Sequence, residues 1–289
     1  MTIQTVNNIF IVILTLSNLG AVGLELNVRE AITALRNPRF VVLCVVWGWV
    51  VGPAFAYLIT RVLPLAEPYV MGLLLVSLAP CAGFLPMVVR KARGDVAFAA
   101  AFVPLTAIGT VVLMPLIAPL LIKGLTVSPW AIAKPLLTLV LIPLVIGIAI
   151  RVYAAPVAAK LFPVVKWIAE IATWTALMLI FELYHRGMLD SVGSYGIGSM
   201  ILFFVGMTLV TYRLGFGLRQ EQRSVMALGM GTRNIAVVFA ALLAFPNPDA
   251  RLVVMVVLVI PLAMALAIAA ARFFASRAGA TGAAGEARP

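Results

Sequence analysis

A helix needs about 20 consecutive apolar residues to cross the hydrocarbon core of a bilayer, and this sequence supplies nine such runs in succession. They fall at 6–26, 40–62, 69–89, 96–122, 130–152, 164–183, 195–217, 225–245 and 251–273. Only 11% of the residues are charged, against about 25% in a soluble domain, so most of the surface has to meet lipid or other apolar helices. In that solvent every backbone polar group must be paired internally, which leaves α-helices as the structure for runs of this length. The sequence therefore predicts an all-α polytopic membrane protein with nine transmembrane helices. The transmembrane domain is assigned to 1–275 and a disordered Ala/Gly-rich tail to 276–289. The first eight residues carry no Lys or Arg, so a cleavable signal peptide is not expected.

The charges between the runs set the orientation. With the first residues outside, the inner segments hold Arg29, Arg36, Arg39, Arg90, Lys91, Arg93, Arg151, Lys160, Lys166, Arg213, Arg219, Arg223, Arg272, Arg277 and Arg288. The outer segments hold Arg61, Lys123, Lys134, Arg186 and Arg251. That is 15 against 5, the asymmetry the positive-inside rule describes, and it places the C-terminus in the cytoplasm of a cell with a membrane of the bacterial inner type. The net charge of +11 is spread over these loops and forms no face suited to nucleic acid. Cys44 and Cys81 both lie inside apolar runs, so no disulfide framework is implied. One histidine, His185, leaves no metal-ligand spacing, and no cofactor is expected. Intramembrane acid–base or metal chemistry needs clustered His, Asp or Glu, and the runs contain no such cluster, so an enzyme is not expected. A channel would be built from rings of like residues contributed by several copies, which one chain leaves open.

Two runs are interrupted. The third carries Ala79-Pro80-Cys81-Ala82-Gly83-Phe84-Leu85-Pro86, and the eighth carries Gly229-Met230-Gly231-Thr232-Arg233-Asn234. Proline removes a ladder hydrogen bond and clashes with the preceding turn. At ~1.5 Å per residue, Pro80 lies roughly 16 Å from the outer end of its run and Arg233 roughly 15 Å from Arg223 at the inner edge. Both breaks thus fall near mid-depth, on runs of opposite direction. Interrupted spans in corresponding positions of two halves point to a transporter site; here the pattern predicts an inverted repeat pairing spans two to four with seven to nine. Pro80, Gly83, Pro86, Gly229 and Gly231 are the break formers.

These residues, together with Gly52-Pro53-Ala54 and Gly94-Asp95-Val96-Ala97-Phe98, resemble the bile acid/sodium symporter superfamily in its nine-helix form, over nearly the whole chain. The resemblance implies a panel domain (spans one, five and six) and a core domain (spans two to four and seven to nine), with two crossing broken helices in the core and alternating access between the domains. It also implies where sodium ligands would stand. The Ser-Asn pair after the first break falls on Leu85 and Pro86, hydroxyl ligands on Ala99 and Val103, a glutamine on Gly48, the acidic ligand on Gly229 and an amide on Arg233; Asn234 alone keeps its family identity. Sodium wants several oxygen ligands, and Leu, Pro, Ala, Val and Gly side chains supply none, so the two sodium sites are expected to be absent.

A charged side chain at the centre of a span costs about 2.5–3.5 kcal/mol on insertion scales and usually marks function. Arg233 is accordingly read as the partner of an anionic substrate, with Thr232 and Asn234 as hydrogen-bonding neighbours; the alternative is an arginine that caps unwound carbonyls. Thr15 and Asn18 share one face of the first span, which either lines the cavity or bonds a neighbouring helix. Glu182, His185 and Arg186 form either a proton relay or an interfacial cluster, the second being favoured, and Glu170 is placed as the partner of Lys166. Asp95 is read as a helix N-cap. The function predicted is secondary transport of a small organic anion without sodium, with proton coupling, exchange and facilitated diffusion all open. An arsenite carrier using Cys81, a sodium-coupled anion symporter, a channel and a sensor are the alternatives.

Overall fold

In the computed structural model, residues 2–122, 127–245 and 248–286 are described, with side chains through 278. Lys123 and Arg288, both counted for orientation, lie outside the described residues, as do the last positions of the predicted tail.

Seven helices are long and apolar enough to cross a membrane. They are α1 (Ile3–Glu25), α3 (Pro38–Val62), α6 (Val96–Leu121), α7 (Pro129–Tyr153), α8 (Ala155–Asp190), α9 (Tyr195–Arg213) and α12, which runs Ala250–Glu286 into the Ala/Gly-rich segment read as a tail. α2 (Val28–Leu35) is a short connector after α1, begun by Asn27, whose side chain accepts from Glu30 N. The third and eighth runs are the exceptions to the nine-helix reading. Each is a pair of short helices, α4 (Glu67–Ser77) with α5 (Leu85–Lys91) and α10 (Gln220–Met230) with α11 (Ile235–Leu242). The leading halves have 11 residues each, so each spans roughly 16 Å before its break. The equal lengths put the two interruptions at matching depth.

Proline also shapes the continuous helices. In α3 the turn Val46–Val51 is π-helical and leads into Gly52-Pro53; in α7 the turn Leu136–Leu141 is π-helical and leads into Ile142-Pro143. A proline cannot donate to the carbonyl four residues back, and a locally widened turn accommodates it.

α1 packs chiefly on α8 and α7. The approach to α7 is close because both helices present glycine: a Cβ on Gly23 would stand 2.5 Å from Leu144 O, and one on Gly147 2.6 Å from Gly20 O. These three helices form the panel that the resemblance implies. Its outer face is apolar and bare, with Trp167, Trp174, Met178 and Phe181 of α8 all exposed, as suits a lipid-facing surface. The other helices gather around the two breaks. The loops after α1, α5 and α9 come together at one end, where Arg90 pairs with Glu25 (4.0 Å), Arg219 with Asp95 (3.8 Å) and Arg29, Asn37 and Arg219 border one hollow. The basic loops of the first half and of the second therefore share an end of the molecule.

Asp95 caps α6, its Oδ1 accepting from Phe98 N at 3.0 Å. His185 Nδ1 lies 2.9 Å from the Glu182 carbonyl in an exposed setting, so this group forms local surface contacts. Glu170 does not pair with Lys166 among the described residues. The Lys166 ammonium instead lies 5.6 Å above the Phe162 ring, one turn towards the helix start, where its stem covers apolar surface.

Candidate functional site

Where a helix unwinds inside an apolar bundle, its freed N–H and C=O groups need new partners. Here the two breaks supply each other. Pro80 and Arg233 form an antiparallel backbone bridge. Cys81 N donates to Gly229 O and Thr232 O at 3.0 Å each, and Asn234 N donates to Ala79 O at 2.9 Å. The Thr232 hydroxyl accepts from Ala82 N (3.2 Å) and donates to Leu228 O (2.9 Å). Leu78 O, left free at the end of α4, accepts from Trp49 Nε1 (3.1 Å) and Thr110 Oγ1 (3.4 Å). Cys81 sits in the left-handed region, φ 72°, a conformation costly for a residue with a Cβ, and the bridge holds it there. The two broken helices thus cross as one hydrogen-bonded unit.

Arg233 lies at this crossing and is 1% exposed. Its Nη1 donates to Met230 O and Thr232 O, both at 2.8 Å, carbonyls at the partially negative C-terminal end of α10. The guanidinium carbon stands 4.7 Å from the centre of the Phe203 ring. Nε and Nη2 are buried and have no hydrogen-bond partner among the described residues. These two nitrogens form the side of the fork that can hold a carboxylate by two parallel hydrogen bonds. Beside them α3 presents Gly52, on which a Cβ would come within 3.6 Å of Nη2.

The structure brings the predicted residues into one region but gives them different tasks. Thr232 ties the crossing, and the Asn234 side chain caps α11 by accepting from Val237 N at 3.3 Å. Thr15 Oγ1 donates to Ile11 O (2.7 Å) and reaches Ala236 O just beyond the second break (3.3 Å). Asn18 Oδ1 lies 3.0 Å from where a Cβ on Gly83 would stand. The polar face of α1 therefore abuts both breaks, whereas the Arg233 guanidinium points away from α1, towards α3 and α9. Pro86 falls in the first turn of α5, where its missing N–H costs nothing. Cys81 is fully buried.

Several of the positions where the resemblance places sodium ligands are filled by hydrocarbon. Leu85, Ala99 and Val103 are buried, and a Cβ on Gly48 would stand 3.2 Å from Pro80 Cγ. At Gly229 a Cβ would run into the Phe102 ring. Phe102 belongs to an aromatic group with Phe40 and Phe98, whose own centroids are 3.9 Å apart. An aromatic ring thus occupies the volume that an acidic side chain at 229 would enter.

A separate cleft of about 130 Å³ opens between α1 and α8 on one side and α11 and α12 on the other. Asn7, 2% exposed, lines it, and its Oδ1 has no hydrogen-bond partner among the described residues. Gln4 and Asn8 line it too, with Tyr184, whose hydroxyl lies 3.4 Å from Gln4 Oε1. The sequence reading passed over Asn7. Its signal was the spacing Asn7, Ile11, Thr15, Asn18, which continues along α1 the helical face already marked by Thr15 and Asn18.

Two interrupted helices joined at their breaks, packed beside a three-helix panel, have the architecture of broken-helix secondary transporters. Residues 12–190 match the sequence model of the Sodium Bile acid symporter family, more than half of the chain, and the chain belongs to that family. It is 25% identical over 231 residues to the probable sodium/metabolite cotransporter BASS3, chloroplastic, of Arabidopsis thaliana, covering 78% of this chain and 53% of the relative. It is 24% identical over 227 residues to the protein of the same description in Oryza sativa subsp. japonica, covering 78% and 54%. The chain thus spans about half the length of these curated relatives. The family match ends before the second break, so Arg233 lies outside it.

Proposed function

We propose that this protein is a secondary transporter of a small organic anion that works by alternating access between panel and core and does not use sodium. The observation that carries the reading is the free Nε/Nη2 side of Arg233: a fixed cation, buried at the crossing, with two donors that lack an acceptor. Leaving such donors unpaired costs about 1–3 kcal/mol or more each, a cost that a carboxylate bound there removes. Nη1 is already held by the helix carbonyls, which aims the open side. In this conformation Gly52 and Phe203 enclose the guanidinium, and access to it accompanies movement of the core helices.

Sodium independence is supported by the hydrocarbon at positions 85, 99 and 103 and by Phe102 beside Gly229. A guanidinium next to the site adds to this, since two unit charges at ~4 Å repel by about 4 kcal/mol at an effective dielectric of 20. The curated relatives are described as sodium/metabolite cotransporters; the residues of this chain do not fit that ion. The basic end, bearing the loops after α1, α5 and α9, faces the cytoplasm on this reading. Proton coupling, exchange or facilitated diffusion would then drive the flux.

The test is a thermal-shift screen of the purified protein against organic anions and arsenite, each in sodium and in choline buffer. A native-state ligand at a hundredfold excess over its Kd stabilises by about 2.7 kcal/mol. An anion that stabilises equally in both buffers is the expected result. Stabilisation that requires sodium would overturn the role given to Arg233.

A further inference from the structure

The cleft beside the first turns of α1 has two walls of opposite character. The panel wall carries the polar, uncharged Gln4, Asn7, Asn8 and Tyr184 together with Ile11 and Ile180; the core wall is apolar, with Phe239 and Leu242. Asn7 is the informative member. It is 2% exposed, and its Oδ1 is buried without a partner among the described residues. A buried amide oxygen left unsatisfied calls for a donor. If the amide is turned over, the buried atom is a nitrogen that calls for an acceptor. A hydroxyl group answers both cases, being donor and acceptor at once. Among the described residues the cleft has no charged side chain in its lining, so it selects by hydrogen bonding and fit.

We propose that this cleft is a binding subsite for the hydroxyl group of a small solute whose short hydrocarbon part rests on Phe239 and Leu242. Eight residues of α1, about 12 Å, separate Asn7 from Thr15 beside the second break, and the lining does not include Arg233, so a short solute held in the cleft does not touch the guanidinium and the subsite stands apart from the proposed function. Asn7, Ile11, Thr15 and Asn18 share one face of α1, so the cleft lies on the face that abuts the breaks. Because the walls belong to panel and core, the occupied cleft bridges the two domains that alternating access would separate.

The experiment uses matched sets of three to six carbons, each set comprising a carboxylate, the hydroxy acid and the corresponding diol, titrated by thermal shift against the full chain, N7L and R233M. In the wild type the hydroxy acid should act at a concentration about 10- to 100-fold lower than the bare acid, the value of one hydrogen bond to an otherwise orphaned group. N7L, close in shape to asparagine, should erase that preference while leaving the bare acid unchanged. R233M, which removes the anion partner, should weaken the bare acid, spare the diol and keep the hydroxy acid's preference, because the cleft does not include Arg233. No preference for the hydroxylated member in the wild type, or a preference that survives in folded N7L, overturns the subsite. Should N7L not fold, Y184F replaces it: the preference should fall at least threefold, and an unaltered preference overturns the proposal equally. Diol binding that depends on Asn7 without any carboxylate binding would retain the subsite and sink the anion reading. Carboxylate binding with no such dependence would do the reverse.

Discussion

Replacing Arg233 with methionine separates the two roles the guanidinium can have, structural cap and anion partner. The substitution keeps an unbranched side chain and removes the charge. On the stability side, it removes the roughly 2.5–3.5 kcal/mol insertion cost of a mid-span charge. Against that, it deletes the two hydrogen bonds from Nη1 to Met230 O and Thr232 O, each worth about 1.5–3 kcal/mol when the donor is charged. The contact with Phe203 adds about 2 kcal/mol when desolvated. The losses outweigh the gain by roughly 2–5 kcal/mol, so R233M should be folded but destabilised by about that amount. On the binding side, the loss is two charge-assisted hydrogen bonds from Nε and Nη2, about 3–6 kcal/mol in all, or roughly 10²- to 10⁴-fold in affinity. Uptake of a labelled anion into proteoliposomes, normalised to folded protein by a thermal melt, reads both quantities. R233K, which keeps the charge and loses the fork, should fall between the two. A folded R233M with uptake within tenfold of the wild type would refute the reasoning, because the guanidinium would then be a cap alone.

The volume filled by Phe102 makes a second prediction: G229A should lower stability by about 1–3 kcal/mol through overpacking, measured as a shift of the detergent melt, and F102L should restore much of the loss by giving the new methyl room. Thr232 makes a third. T232V preserves shape but leaves the Ala82 N–H without its acceptor, which should cost about 1–3 kcal/mol in the same melt, while T232S should stay near the wild type.

Much of this was readable along the chain. Apolar runs of spanning length with few charges leave helices in a membrane as the consistent reading. The two interruptions were equally plain, because proline at 80 and 86 and glycine at 229 and 231 weaken a helical ladder whatever surrounds it. Asp95 before a long apolar run reads as a cap and is one. Lys166 and Glu170 read as an ion pair from spacing alone, and that failed because a long side chain on an apolar helix gains more by lying over the neighbouring Phe162 ring than by reaching a carboxylate through water.

By itself the sequence determined the solvent, the secondary structure, the places where the helices break and the presence of a charge beside the second break. These follow from local chemistry, since run length, proline and glycine act on their own few residues. Only the tertiary structure decided which nitrogens of Arg233 are satisfied, that Phe102 stands where an acid at 229 would need to be, and that Asn7 is buried with an unanswered oxygen. Each of these depends on groups far apart in the chain, Pro80 against Arg233 and Phe102 against Gly229, and on the direction a side chain takes once its helix is packed. Spacing along one strand of residues carries no record of that.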